Sequence, residues 1–279
     1  MYNFHTHTHY CDGLAEPEEF VEEALRKKMK VLGFSAHASV PFDNPWSLKD
    51  ENAQEYFDKI KSLKKAYKHN IQIFNALEVD YIPGISTPFA TLKKQWALDY
   101  IIGAVHLVKK NNELWFIDGP EANFIGGVQN IFNGDIREAV SSYYNQINEM
   151  LYKEKPDIIA HFDKIKMHNK NRFFSEDDKW YEQITEKTLD VIARQETIVE
   201  VNTRGIYTGK CETFFPGVPI LEKCLKKGIP VMINCDAHKP EDLLEHYYEA
   251  SETLKKIGFK KLAILTAEGP EMIDLDKYC

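Results

Sequence analysis

Ile71-Gln72-Ile73-Phe74-Asn75-Ala76-Leu77-Glu78 is a short, mostly apolar segment that ends on a carboxylate. Runs of the same kind recur at residues 2–5, 31–35, 100–105, 158–160, 198–202, 231–234 and 262–265, most of them rich in Ile, Val, Phe and Tyr. Continuous apolar runs of this length suit strands covered on both faces of a parallel sheet; a sheet with one wet face would alternate. Between the runs lie amphipathic stretches. Phe20, Val21, Ala24 and Leu25 share one helical face, behind Pro17 and the acids Glu18 and Glu19 of a first turn. Tyr56, Ile60, Leu63 and Tyr67 mark a second, and 136–151, 180–192 and 243–254 are further candidates. This alternation predicts an α/β fold, either a parallel barrel or a doubly wound sheet. Residues 109–134, with the Gly126-Gly127 pair, show neither pattern and are expected to form a long loop, which in a compact domain is usually functional or mobile.

The chain has 279 residues, of which 43% are hydrophobic. That suffices for one α/β barrel or two smaller domains. A net charge of −8 is a poor match to a protein that holds a nucleic-acid backbone across a broad surface. A small anionic substrate fits, because bound metals reverse the local field. The first residues contain no basic segment followed by an apolar one, and no run approaches the roughly 20 apolar residues that cross a membrane. Cys11, Cys211, Cys224, Cys235 and Cys279 are scattered, odd in number and form no CxxC pair. The reading is a cytoplasmic protein without a disulfide framework.

The ten histidines carry the functional argument. His5 and His7 close the first run, and His37 follows the second by two residues. Glu78 ends the third, His106 follows the fourth, and His161 the fifth. Asp236 and His238 follow the seventh. In a parallel barrel all strand C-termini open on one face, which carries the active site. Six strand ends therefore deliver a metal-type ligand to one place. Alternate residues of an extended segment face the same side, so His5-x-His7 presents two imidazoles together. The sixth strand ends in Asn202-Thr203-Arg204, polar and basic instead. His69, His168 and His246 sit among polar residues and are read as solvated, and His9 is ambiguous. Imidazole and carboxylate donors without thiolate suit Zn, Mn, Fe or Co at a catalytic site. Cys11 and Cys235 lie beside ligand positions but are not read as ligands.

These residues resemble a known family. His5-Thr6-His7-Thr8, Ser35-Ala36-His37, Glu78, Gly103-Ala104-Val105-His106, His161 and Asp236-Ala237-His238 are similar to the motifs of the polymerase-and-histidinol-phosphatase (PHP) superfamily. The resemblance runs from His5 to His238. It implies a distorted (β/α)7 barrel made by a single domain over residues 1–279, with the run at 262–265 as an accessory strand. It also implies three divalent metal ions at the C-terminal face of the strands. One would be held by His5, His7, Glu78 and Asp236, a second by Glu78, His106 and His161 with Glu78 bridging, and a third by Asp12, His37 and His238. Relatives often place a histidine near Asp12, so His9 competes for that position. Asp12 is favoured because Cys11-Asp12-Gly13 can turn the chain back toward the site. Glu78, Asp236 and His238 are the implied catalytic residues.

Within the superfamily, the length, the Asp118-Gly119 segment and Glu200-Val201-Asn202-Thr203 before a basic residue resemble the stand-alone phosphatase branch. The implied reaction is hydrolysis of L-histidinol phosphate to L-histidinol and inorganic phosphate in histidine biosynthesis. The alternatives are another phosphoesterase or a nuclease on the same scaffold, or a non-catalytic metal-binding protein. Arg204 is expected to grip the phosphate, since a guanidinium can donate two parallel hydrogen bonds. Asp118 and Trp115, with Phe42, Trp46 and Tyr207, are the candidates for reading the ammonium and imidazole groups.

Overall fold

A computed structural model describes residues 1–278. Seven parallel strands form one sheet: Tyr2–Asn3 (β1), Val31–His37 (β2), Gln72–Asp80 (β3), Tyr100–Ala104 (β4), Ile158–Ile159 (β5), Ile198–Asn202 (β6) and Val231–Asn234 (β7). They pair in chain order, and the sheet curls until its two edges nearly meet. At the seam Thr6 bridges Ala237 in parallel, His7 N donates to Ala237 O at 2.8 Å, and Ala237 N donates to His5 O at 3.2 Å. The expected barrel of seven strands is therefore present. The run at 262–265 lies in an antiparallel hairpin, Lys261–Thr266 with Gly269–Asp274, separate from the main sheet.

Helices Pro17–Arg26 (α1), Asp50–Ala66 (α2), Phe89–Gln95 (α3), Glu121–Asn130 (α4), Ile136–Lys153 (α5), Lys179–Gln195 (α6), Arg204–Tyr207 (α7), Val218–Lys227 (α8) and Tyr247–Ile257 (α9) fall between or after the strands. Each buries the apolar stripe its sequence carries: α1 buries Phe20, Val21 and Ala24, and α2 buries Tyr56, Phe57, Ile60 and Leu63. Helix α9 begins later than the expected 243, because Leu244 and His246 take φ of 66° and 57°, outside the right-handed helical region.

Register, more than helix packing, positions the site. In the β2–β3 ladder Val31 faces Gln72, and six steps on His37 faces Glu78. In β3–β4 Glu78 lies beside Ile102 and Asp80 beside Ala104. In β6–β7 Asn202 pairs with Asn234. All strands run the same way, so their polar last residues gather at one end while the Ile, Val and Phe before them fill the core.

The 109–134 segment is largely ordered structure, contrary to the expected long loop. Leu107–Lys110 and Glu113–Phe116 form a tight antiparallel hairpin around Asn111 at φ 56°, a left-handed turn position that Asn tolerates. Helix α4 follows. Its Gly127 is required by contact, since a Cβ there would lie 1.9 Å from Trp115 Cδ1. The Trp115 ring is fully enclosed and cannot swing aside. Gly127→Ala should therefore destabilise the protein by about 1–3 kcal/mol despite the better helix propensity of Ala. A thermal melt of the purified variant should fall by several degrees. An unchanged or raised midpoint would show that the α4–Trp115 contact relaxes freely.

Candidate metal centre

The strand ends bring together six histidines and three carboxylates. His5 and His7 follow β1, His37 ends β2, Glu78 lies beside it two residues before the end of β3, and His106 and His161 follow β4 and β5. Asp236 and His238 follow β7. Asp12 arrives from a loop folded back against the first strand end, where Cys11 N and Gly13 N both donate to Thr8 O at 2.9 and 3.0 Å. A Cβ on Gly13 would lie 2.5 Å from the His7 carbonyl, so only glycine allows this approach. His9 is not in the cluster; it is 39% exposed and its Nδ1 lies 3.4 Å from Glu16 Oε2. The geometry therefore brings Asp12, and not His9, to the other ligand-type residues.

Three overlapping groups of donor atoms result. His7, Asp12, His37 and His238 form one, with His238 Nε2 3.2 Å and His37 Nε2 3.7 Å from Asp12 Oδ1. His5, His7 and Glu78 form another, in which Glu78 Oε2 lies 3.2 and 3.3 Å from the two Nε2 atoms. Asp236 Oδ1 approaches the same imidazoles at 3.7 and 3.3 Å. The third comprises His37, Glu78 and His106, with His161 Nε2 3.0 Å from Glu78 Oε1. Glu78 Oε2 thus faces His5, His7 and His37, and its Oε1 faces His106 and His161.

The donor atoms fit metal ions. His5 Nε2, His7 Nε2, His37 Nδ1, Asp12 Oδ1 and Asp236 Oδ1 are buried without a hydrogen-bond partner. Unpaired polar atoms of this kind cost about 1–3 kcal/mol each, and a divalent cation satisfies several at once. Thiolates stay out of the set: Cys235 Sγ donates to Asn3 Oδ1 at 3.3 Å, and Cys11 Sγ lies 3.5 Å from the other ring nitrogen of His7. Protonation suits the same purpose. Burial alone would raise the Glu78 carboxyl, but His5, His37 and His106 hold it well below the usual range. Burial likewise opposes ionisation of Asp236, which His5 and Arg204 overcome. Burial pushes His37 down to about 3 and, with Lys164, His161 to about 4, leaving neutral rings with a free lone pair at pH 7. His5 is different: burial lowers it, but Glu200, Asp236 and Glu78 raise it to about 10, so a proton occupies it until a cation displaces that proton.

Two ligand-type residues sit in backbone conformations that side chains rarely adopt, His161 at φ 24° and Asp236 at φ 51°. Such strain costs of order 1–3 kcal/mol and persists only where neighbours enforce it. Here Glu200 Oε2 accepts from His161 N at 3.0 Å. The Asp236 carbonyl accepts from Arg204 Nη1 and from the Tyr207 hydroxyl, both at 3.0 Å.

Beside the cluster opens a cleft of about 480 Å³. Arg204, Lys164 and Lys210 line it with Asp118, Trp46 and Phe116. Asp118 lies 3.1 Å from Lys164 Nζ and 3.9 Å from His106 Nε2. Trp115 does not reach the cleft, which corrects the sequence-based expectation. Alternation along the hairpin strand turns Trp115 into the core at 1% exposure, where Nε1 donates to Phe124 O, and leaves Phe116 at 36%. Phe42 and Tyr207 are likewise not among the lining residues. Lys164 and Lys210 were not foreseen, and Glu200 was read only as part of the branch motif and not as a residue of the site. Glu200 had a legible signal, a carboxylate in the middle of the apolar run Ile198-Val199-Glu200-Val201.

The sequence and the fold match known proteins. The chain is 26% identical over 267 residues to the histidinol-phosphatase of Bacillus subtilis, covering 88% of this chain and 96% of that one. It is 25% identical over 257 residues to a Deinococcus radiodurans protein named "Probable histidinol-phosphatase", covering 91% and 92%. The fold matches a crystal structure of histidinol phosphate phosphatase from Lactococcus lactis complexed with zinc, L-histidinol and phosphate, with a TM-score of 0.71, 20% identity, and coverage of 97% of this chain and 98% of that one. Residues 3–204 match the model of the PHP domain, and this chain belongs to the PHP domain family.

Proposed function

We propose that this protein is a metal-dependent histidinol-phosphatase, hydrolysing L-histidinol phosphate to L-histidinol and inorganic phosphate. One observation carries the reading: a buried cluster of unpartnered imidazole and carboxylate atoms shares a cleft with Arg204, Lys164 and Lys210. Cations on both sides suit a phosphate ester, and about 480 Å³ suits a small molecule rather than a polymer. The names of the relatives point to histidinol phosphate among such esters.

In this reading His5, His7, Glu78 and Asp236 hold one ion, Glu78, His106 and His161 a second, and Asp12, His37 and His238 a third. Zinc is favoured by the ion in the Lactococcus complex. When bound, such ions polarise phosphoryl oxygens and lower the pKa of water toward about 7, supplying the nucleophile at neutral pH. Glu78, Asp236 and His238 are the catalytic residues in the sense that they touch those ions. Arg204 Nη1 donates to the Asp236 carbonyl at 3.0 Å and to the Tyr207 hydroxyl at 3.3 Å, which fixes a guanidinium that lines the cleft, and in this reading its other N–H groups meet the phosphate. Asp118 pairs with the substrate ammonium, and Trp46 and Phe116 supply aromatic faces for the imidazole. Among the described residues no helix is long and apolar enough to cross a membrane, and the four described cysteines are unpaired, which supports a cytoplasmic location.

Three measurements test this. Steady-state kinetics should give a kcat/KM for histidinol phosphate at least about 100-fold above that for an aryl phosphate, about 2.7 kcal/mol in transition-state binding, and chelation should abolish both activities. Comparable efficiency on all monoesters would overturn the substrate assignment. Elemental analysis after metal supplementation should find more than one ion per chain in the wild type and fewer in Glu78→Gln, whose amide cannot serve two ions as a carboxylate does. Wild-type occupancy below one ion per chain would sink the multi-metal reading. Arg204→Ala should raise KM about tenfold or more, about 1.4 kcal/mol, with metal content unchanged. An unaltered kcat/KM would remove Arg204 from the phosphate site.

A further inference from the structure

Strand β6 is the one barrel strand whose end brings no residue to the metal cluster. Its Glu200 lies directly beneath that cluster, with no solvent exposure. Glu200 Oε1 accepts from His5 Nδ1 at 2.6 Å and from Asn234 Nδ2 at 3.1 Å. Glu200 Oε2 accepts from His161 N at 3.0 Å and from Asn202 Nδ2 at 2.9 Å. Asn202 Nδ2 in turn reaches Asp236 Oδ2 at 3.2 Å. One carboxylate therefore touches the ends of β1, β5, β6 and β7, and every group it meets is a donor.

We infer that Glu200 is the positioning residue of the metal centre: it places the proton of His5 on Nδ1, so that Nε2 faces the cluster with a free lone pair, and it holds His161 in its left-handed conformation. An imidazole can bind a metal through one nitrogen while its other N–H donates to a carboxylate, which orients the ring and raises its basicity. The 2.6 Å contact and the unpartnered His5 Nε2 are the two halves of that arrangement. The backbone bond to His161 adds a second handle, because a residue at φ 24° springs back unless its N–H is held. Glutamine has the same shape but cannot substitute. Whichever way its amide turns, the NH2 group faces either His5 Nδ1 and the Asn234 amide, or His161 N and the Asn202 amide, donor against donor.

This inference rests on the metal reading above, and its test keeps the two apart. Zinc affinity is measured by competition with a chromophoric chelator, first on the wild type and then on Glu200→Gln and Glu200→Asp. Absence of zinc binding by the wild type would overturn the metal reading and this inference with it. With the wild type binding, Glu200→Gln should bind zinc about 10–100-fold more weakly at a temperature where circular dichroism shows the metal-free variant still folded. Glu200→Asp, which keeps the charge but shortens the reach, should fall between. Equal affinity in Glu200→Gln and wild type would overturn the role of Glu200 alone. A readout independent of any variant is the long-range proton–nitrogen spectrum of zinc-loaded wild-type protein labelled at histidine. His5 should be protonated at Nδ1, with that proton strongly downfield; a bare Nδ1 would overturn the inference even if every variant failed to fold.

Discussion

The constraint on which the rest depends is the parallel register that sets His37 beside Glu78. Shifting either strand by one residue would turn its last side chain to the other face and separate the pair. Glu78 is nearly fully buried and lies within 3.7 Å of five imidazoles, those of His5, His7, His37, His106 and His161. A buried carboxylate needs donors or cations around it, and crowded buried imidazoles need an acceptor for each N–H and a donor or cation for each bare lone pair. The barrel supplies the geometry, and the cluster makes that geometry matter.

The charge map separates the site from the surface. The chain is acidic overall, at −8, yet the cleft wall collects Arg204, Lys164 and Lys210. Fixed cations near the mouth and metal sites at the floor both attract an anion, so bulk charge says little about the substrate. One acid of the cleft wall, Asp118, is held ionised against burial chiefly by Lys164 and His106. It sets one negative charge beside the cationic wall.

Much of this was legible in the sequence because strand ends are a topological position, and topology follows from the order of apolar runs. His5, His7, His37, Glu78, His106, His161, Asp236 and His238 could each be located by the run before it. Asp12 needed the Cys11-Asp12-Gly13 turn, whose close approach to the His7 carbonyl only coordinates reveal. The cleft wall was less legible. Trp115 and Phe116 are neighbours of similar chemistry, and only the hairpin's pleat decides which enters the core. That hairpin was hidden because Lys109-Lys110-Asn111-Asn112-Glu113 interrupts the apolar pattern at its turn. Lys164 follows His161 through a short 3-10 turn whose direction no periodicity encodes.

The barrel seam joins residues from opposite ends of the chain, with Thr6 bonded across to Ala237. His5 and His7 lie on one lip, Asp236 and His238 on the other, so two of the three donor groups draw on both lips once Asp236 is counted. On the ribosome the first lip emerges at the outset and the second only after residue 238 has left the tunnel. Until then β1 is an open edge bearing two imidazoles with no carboxylate partner from β7, and its N–H and C=O groups are a template for unwanted pairing. The two donor groups that draw on both lips are therefore complete only once β7 has closed against β1, whereas the group of His37, Glu78 and His106 depends on neither lip.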